Sequence, residues 1–259
     1  ETIVKLLSNT DESNLQLTCD KEQACDRMSV QTLGSVALNC TDTEACLNLN
    51  IHPPDNSPDE YKGQKSTISC KGDKACNNLG FTVATDILVD CNLMGDSVCG
   101  GTGSTTTIQS TQGYVTANCA SIGSSGNNTN STNSGEACKE MTIVAKSNID
   151  LTCSGDEACS GIIVMGGNEL ILDCTGSGNA ICNNMNINMT NKIALNEFKC
   201  GGDGNTSSPY SCANTTINTY SNNVIFDCKN GGCAGIQAIT NNDDADIKMI
   251  CQGYEACLN

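Results

Sequence analysis

Apolar residues recur at alternate positions in short runs along the chain, and each run ends on a cysteine. Leu15 and Leu17 precede Cys19, Val36 and Leu38 precede Cys40, Ile87 and Val89 precede Cys91, and Ile149 and Leu151 precede Cys153. Leu170 and Leu172 before Cys174, Val224 and Phe226 before Cys228, and Ile247 and Met249 before Cys251 repeat the pattern. A period of two puts these side chains and the cysteine on one face of a β-strand. A polar loop follows, with Ala ahead of a second cysteine at Ala24, Ala45, Ala75, Ala137, Ala158 and Ala256. Apolar residues then return three and five positions on, as at Met28 and Val30, Leu49 and Ile51, Leu79 and Phe81, Met141 and Ile143, Ile162 and Val164, and Met185 and Ile187. This predicts a second short strand facing the same interior. No segment of useful length carries a helical period. Asn, Gly, Thr and Ser fill the remaining positions and suit turns.

The frame occurs ten times in 259 residues, and repetition at such a period marks a solenoid. The shortest spacing is 21 residues, from Cys19 to Cys40, Cys70 to Cys91 and Cys153 to Cys174. At roughly 3.3 Å per residue this closes a coil of about 70 Å perimeter, and coils about 4.8 Å apart stack into a rod of order 50 Å. The expected fold is all-β, a right-handed parallel β-solenoid of about ten coils forming one domain over residues 1–259. Length varies only between the cysteines or after the second strand, giving insertions near 52–65, 100–107, 120–137 and 201–211. Strands that keep their length beside loops that vary are packed strands beside solvated loops. Local distortion is expected after Cys99, where the apolar residue is delayed to Ile108, and between Cys228 and Cys233, where the loop is shortest.

The cysteines divide by repeat into Cys19 and Cys25, Cys40 and Cys46, Cys70 and Cys76, Cys91 and Cys99, Cys119 and Cys138, Cys153 and Cys159, Cys174 and Cys182, Cys200 and Cys212, Cys228 and Cys233, and Cys251 and Cys257. Their loop grows from four to eighteen residues while both cysteines persist, which favours a bridge across its base. Pairing between stacked coils is the rival, since their separation also suits a disulfide. With one histidine and no C-x-x-C pair, zinc is disfavoured. An even, fully used cysteine set points to an oxidising compartment. Six N-x-S/T sequons, at Asn39, Asn127, Asn130, Asn188, Asn205 and Asn214, agree with a secreted or cell-surface glycoprotein. Loop residues Gly72, Gly155 and Gly253 are expected at positive φ.

Net charge is −16 with Arg27 the only arginine, which disfavours nucleic acid and anionic membranes as partners. There is no tryptophan to make a stacking platform for bases or sugars. No apolar run is long enough to span a membrane. A carbohydrate-active enzyme would need paired carboxylates. Asp243, Asp244 and Asp246, or Asp156 and Glu157, are candidates, but solvated acidic loops explain them, and His52 beside Pro53 reads as a loop residue. No catalytic residue is assigned, and the chain is expected not to be an enzyme. Glu44, Glu157, Glu255, Glu22, Asp73 and Asp156 recur at matching loop positions and would suit a bridging calcium ion. No cofactor is otherwise implied. Thr105–Thr107 and Thr215–Thr216 do not continue through neighbouring repeats, so no ice-binding array is expected.

On these repeats the chain resembles the parallel β-helix class, and most closely the cysteine-rich β-helix repeats of large secreted or surface proteins of microbial eukaryotes. The resemblance covers nearly the whole chain as repeat pattern. That class holds polysaccharide lyases and hydrolases, adhesins, ice-binding proteins and fibre subunits, so it implies the fold and selects no activity.

The last repeat stops at Leu258 and Asn259, while the chain opens on a strand-like segment containing Ile3 and Val4. ETIVKLLSN resembles EMTIVAKSN at Glu140–Asn148, and joining end to start brings Ile3 five positions past Cys257, as Ile143 lies past Cys138. Two expectations follow. One is a subunit that stacks head to tail on itself through Ile3, Val4, Leu258 and Asn259. The other is a processed or excised piece of a longer array. Both imply a structural segment of an extracellular, glycosylated fibre or surface appendage. An adhesin stalk or ligand-binding module is the alternative, and a carbohydrate-active enzyme ranks third.

Overall fold

The structure is a computed structural model that describes residues 2–6, 14–54, 65–91, 97–120, 135–176, 178, 180–191, 195–201, 211–253 and 255–257. These residues form β1 (Thr2–Leu6), β2 (Asn14–Cys19), β3 (Met28–Thr32), β4 (Ser35–Cys40), β5 (Asn50–His52), β6 (Ser66–Cys70), β7 (Gly80–Val83), β8 (Ile87–Asp90), β9 (Thr107–Ser110) and β10 (Val115–Ala120). The chain continues as β11 (Thr142–Ala145), β12 (Ile149–Ser154), β13 (Ile163–Gly166), β14 (Leu170–Thr175), β15 (Asn186–Met189), β16 (Leu195–Gly201), β17 (Thr216–Thr219), β18 (Asn223–Lys229), β19 (Gln237–Thr240) and β20 (Asp246–Gln252). Odd-numbered strands make one 10-stranded sheet and even-numbered strands another, each in sequence order. Every pairing is parallel, as between β2 and β4 or β17 and β19. The fold is therefore a disulfide-stapled parallel β-solenoid of roughly ten coils.

Like residues stack over like because each coil repeats the same alternation. In the even sheet Leu17, Leu38, Ile68, Val89, Ala117, Leu151, Leu172, Phe198, Phe226 and Met249 stand in one register column. The rings of Phe198 and Phe226 stack at 5.0 Å between centroids. In the odd sheet the column runs Val4, Val30, Ile51, Phe81, Ile108, Ile143, Val164, Ile187, Ile217 and Ala238. Residues in the middle of both columns are buried, each contributing about 1.5–3 kcal/mol of apolar burial. The delay after Cys99 does not disturb the register, since Ile108 still lies between Phe81 and Ile143. The added residues are taken up before β9, where buried Thr106 donates its hydroxyl to the Cys76 carbonyl at 3.1 Å.

In the even sheet one inward column admits polar residues. Ser66 and Asn196 replace the apolar residue that begins the alternation, in register with Ile87 and with Leu170 and Val224. Both are satisfied. Ser66 Oγ accepts from the Val36 N–H at 3.0 Å and lies 2.8 Å from the Thr85 hydroxyl. Asn196 accepts from the Leu170 N–H at 3.1 Å and donates to Thr219 Oγ1 at 3.0 Å. Buried polar groups persist in a core when paired in this way.

Candidate functional surfaces: the cysteine edge and the terminal coil

Each first cysteine lies within one residue of the end of an even strand, and its partner lies across the following turn. Ten disulfides join Cys19–Cys25, Cys40–Cys46, Cys70–Cys76, Cys91–Cys99, Cys119–Cys138, Cys153–Cys159, Cys174–Cys182, Cys200–Cys212, Cys228–Cys233 and Cys251–Cys257. Cα separations are 5.8 to 6.2 Å whether the loop is short or long. Consecutive bridges stack closely. Sulfurs of Cys40, Cys70 and Cys76, for example, fall within 4.8 Å of one another. Among the described residues the clusters with metal-ligand spacing consist of these cysteines, whose sulfurs are held in disulfides rather than as the thiolates a metal binds.

The turn is a third wall of the coil, built by the backbone. Residues two before and two after the second cysteine take positive φ: Gln23 and Arg27, Glu44 and Asn48, Lys74 and Asn78. Alternate N–H groups there reach the next coil, as from Gln23 to Thr43 O (3.3 Å), Cys25 to Ala45 O (2.8 Å) and Arg27 to Leu47 O (3.1 Å). Those between bond locally, as from Ala24 to Lys21 O at 3.0 Å. From Cys138 the cysteine itself takes positive φ, at Cys138, Cys159, Cys182, Cys212 and Cys233. Its N–H then turns to the preceding coil, from Cys159 to Ala137 O (2.9 Å) and from Cys182 to Ala158 O (2.8 Å). The residue before the second cysteine is buried at Ala45, Ala75, Ala137 and Ala158, and also at Val98 and Ile181, where a larger side chain takes the same place.

The glycine expectation needs one correction. Gly155 and Gly253 have φ of 94° and 96°, but Gly72 does not lie in the left-handed region. A Cβ on Gly72 would stand 2.5 Å from the backbone C and O of Asp42 in the coil below. Close approach of two turns therefore requires that glycine.

Side chains reinforce the edge. Asn48 donates to Asp26 Oδ1 at 3.0 Å, Asn78 to Asn48 Oδ1 at 3.2 Å, and the Thr105 N–H to Asn78 Oδ1 at 2.9 Å. A second clasp spans three coils at the foot of the 120–137 insertion. Lys139 Nζ bonds Glu136 Oε1 at 2.7 Å and Glu157 Oε2 at 2.6 Å, while Ser97 Oγ donates to Glu136 Oε2 at 2.9 Å. Burial pushes the Glu136 carboxyl up, but hydrogen bonds from Lys139 and Ser97 outweigh it and hold the group below its ordinary value. Burial pushes Lys139 down, and its bonds to Glu136 and Glu157 more than reverse that. A glutamate held ionised in this way does not suit the general-acid role of a glycosidase. Sequence reading missed this pair: Glu136 stands at the Glu-Ala-Cys position shared with Glu44, Glu157 and Glu255, but Lys139 is the one lysine that directly follows a second cysteine.

The other sequence candidates are dispersed. Glu44 accepts from Gln23 at 2.9 Å, Asp244 is bonded through its N–H to Asn242, and His52 Nδ1–H donates to the Pro53 carbonyl at 2.9 Å. Asn39 lies on the outward side of β4, half-buried, while Asn188 on β15 and Asn214 on the turn before β17 are exposed. Asn127, Asn130 and Asn205 lie outside the described residues, as do Leu258 and Asn259. β1 sets Val4, not Ile3, in register with Val30, whereas Ile143 holds that column in β11. The strand is thus one residue out of step with the count across the joined ends. No helix among the described residues is long and apolar enough to cross a membrane.

At the last coil the interior is uncovered. Ile247 and Met249 are 44 % and 47 % exposed, while Val224 and Phe226, their register neighbours, are fully buried. Comparison of the chain with protein-family models, with curated proteins and with solved structures finds no match.

Proposed function

We propose that this chain is a structural segment of an extracellular, glycosylated fibre or surface appendage, continued along its axis by a further coil laid on β19 and β20. The observation that carries the reading is the unbroken column from Leu17 to Met249, whose last member is half-exposed on an open parallel edge. An edge of this kind templates another strand, and a head-to-tail contact that does not close generates a filament. The contact can be met by β1 and β2 of a second copy or by further repeats of the same array. Ten disulfides suit an oxidising exterior, and Asn39, Asn188 and Asn214 offer acceptor positions around the rod for glycans that would solubilise it. The role assigned is mechanical rather than catalytic.

Electron microscopy of the purified protein tests this. Unbranched filaments much longer than the ~50 Å of one stack of coils are expected, and Met249→Asp, which puts a charge on the uncovered column, is expected to reduce them to single rods. Discrete rods for the unaltered protein would contradict continuation by a second copy.

A further inference from the structure

The two sheets differ in how they carry charge. The outward side of the even sheet holds Asp150, Asp173, Glu197, Lys199, Asp227 and Lys248. The odd sheet from β3 to β19 contains no Asp, Glu, Lys or Arg in any strand. In a protein of net charge −16, this is a long surface built without formal charge. Its outward residues are Ser, Asn, Thr, Gln and aliphatics, with His52 and Gly80. Three aliphatics sit near its middle, where Val144 pairs with Met165 across β11 and β13 and Ile163 and Met165 are each 38 % exposed, and a further one, Ile239 on β19, is 50 % exposed at its end. Thr107 and Gln109 lie on one side of this patch, and Asn186, Asn188, Thr216 and Asn218 on the other.

We propose that this outward face of the odd sheet is a lateral contact surface whose occupant is the same face of a second copy. An apolar centre with an uncharged polar surround is the anatomy of a specific interface. A two-fold axis near β11 and β13 would lay the patch on itself, as a self-complementary contact requires. Two bodies of charge −16 repel, and their charge-free faces are where they meet with least Coulomb cost. At about 4.8 Å per strand and roughly 3.3 Å per residue, the face measures about 40 by 13 Å. A pair would bury about 1,000 Å² in total, at the lower edge of a stable interface. The face carries no Phe, Tyr or Trp among its outward positions, which favours a second copy over a sugar polymer that would stack on such rings. Asn188 pairs with Met165 in the register, so a glycan on its sequon would cover the patch and hold the face closed. The contact differs from end-to-end continuation and uses other residues.

Sedimentation velocity on the full chain carrying Met249→Asp, to remove end contacts, and Thr190→Ala, to remove the Asn188 sequon, tests the proposal. A reversible dimer is expected, with a dissociation constant of about 1–100 μM that falls as salt screens the repulsion between bodies. Adding Met165→Asp or, separately, Ile163→Asp is expected to raise that constant about tenfold or more. Thr116→Asp, on the outward side of the even sheet, should leave it unchanged. The proposal is overturned by a monomer up to about 1 mM, by a dimer indifferent to both substitutions, or by a monomer retained on a neutral polysaccharide through these residues. Filament loss with Met249→Asp alone bears only on the axial reading, so the two fail independently.

Discussion

At the cysteine edge, residues other than glycine hold left-handed backbone in coil after coil, including Glu44, Lys74, Glu157 and Glu255 two positions before the second cysteine. Such a residue costs of order 1 kcal/mol where glycine would not. The stack of N–H bonds to the next turn maintains it. Lys74 is exposed, with φ 53°, so its side chain can be changed without opening the core. Lys74→Gly is expected to stabilise the fold by about 0.5–1 kcal/mol, and Lys74→Val to destabilise it by about 1–2 kcal/mol, as read from denaturant unfolding midpoints. Equal effects for the two would contradict the left-handed assignment. At this scale the sequence was partly legible. Gly155 and Gly253 signal positive φ, but Gly72 is required by the turn beneath it, which a single repeat does not reveal. Asn196 is a polar residue at an apolar position of the repeat. Its partner Thr219 lies in the next coil, and only the three-dimensional stack brings them together.

At the scale of the element, the strands were readable because alternation fixes which side chains face inward. The turns were less so, because their third ladder is made of backbone groups and leaves only a weak trace in residue type. The Glu136–Lys139–Glu157 clasp joins two glutamates of the same repeat position through Lys139, which no other repeat carries after its second cysteine, so no repeated residue announces it. Its pH response follows from the two shifts. Glu136 is depressed, so its contribution is present above the ordinary glutamate range and is lost as pH falls through its lowered value. Lys139 is raised, so its contribution is full below the ordinary lysine range and is lost as pH rises through its raised value. Lys139→Met is expected to cost about 1–3 kcal/mol near neutral pH, with the difference from the unaltered protein shrinking as pH falls below about 4. Unfolding curves across pH check this. A difference independent of pH would assign the clasp no electrostatic role.

At the scale of the whole molecule, ten repeats become one body because each coil buries its apolar row only against the next. The fold was the most legible property of the chain, since a repeated frame permits few arrangements. The unequal charging of the two sheets was not read from the sequence, because it emerges only when every second strand is collected into one face. The central claim is that coils stack directly above one another in common register. Gln16, Ala37, Thr67, Leu88, Thr116, Asp150, Ile171, Glu197, Ile225 and Lys248 form one outward column of the even sheet. Nitroxide amino acids placed at Ala37 and, in turn, at Asp150, Ile171, Glu197 and Ile225 leave the cysteines untouched. Pulsed electron paramagnetic resonance should then return distances of about 19, 24, 29 and 34 Å, rising by one strand spacing per coil. Distances that level off or change irregularly along this series would contradict the stack.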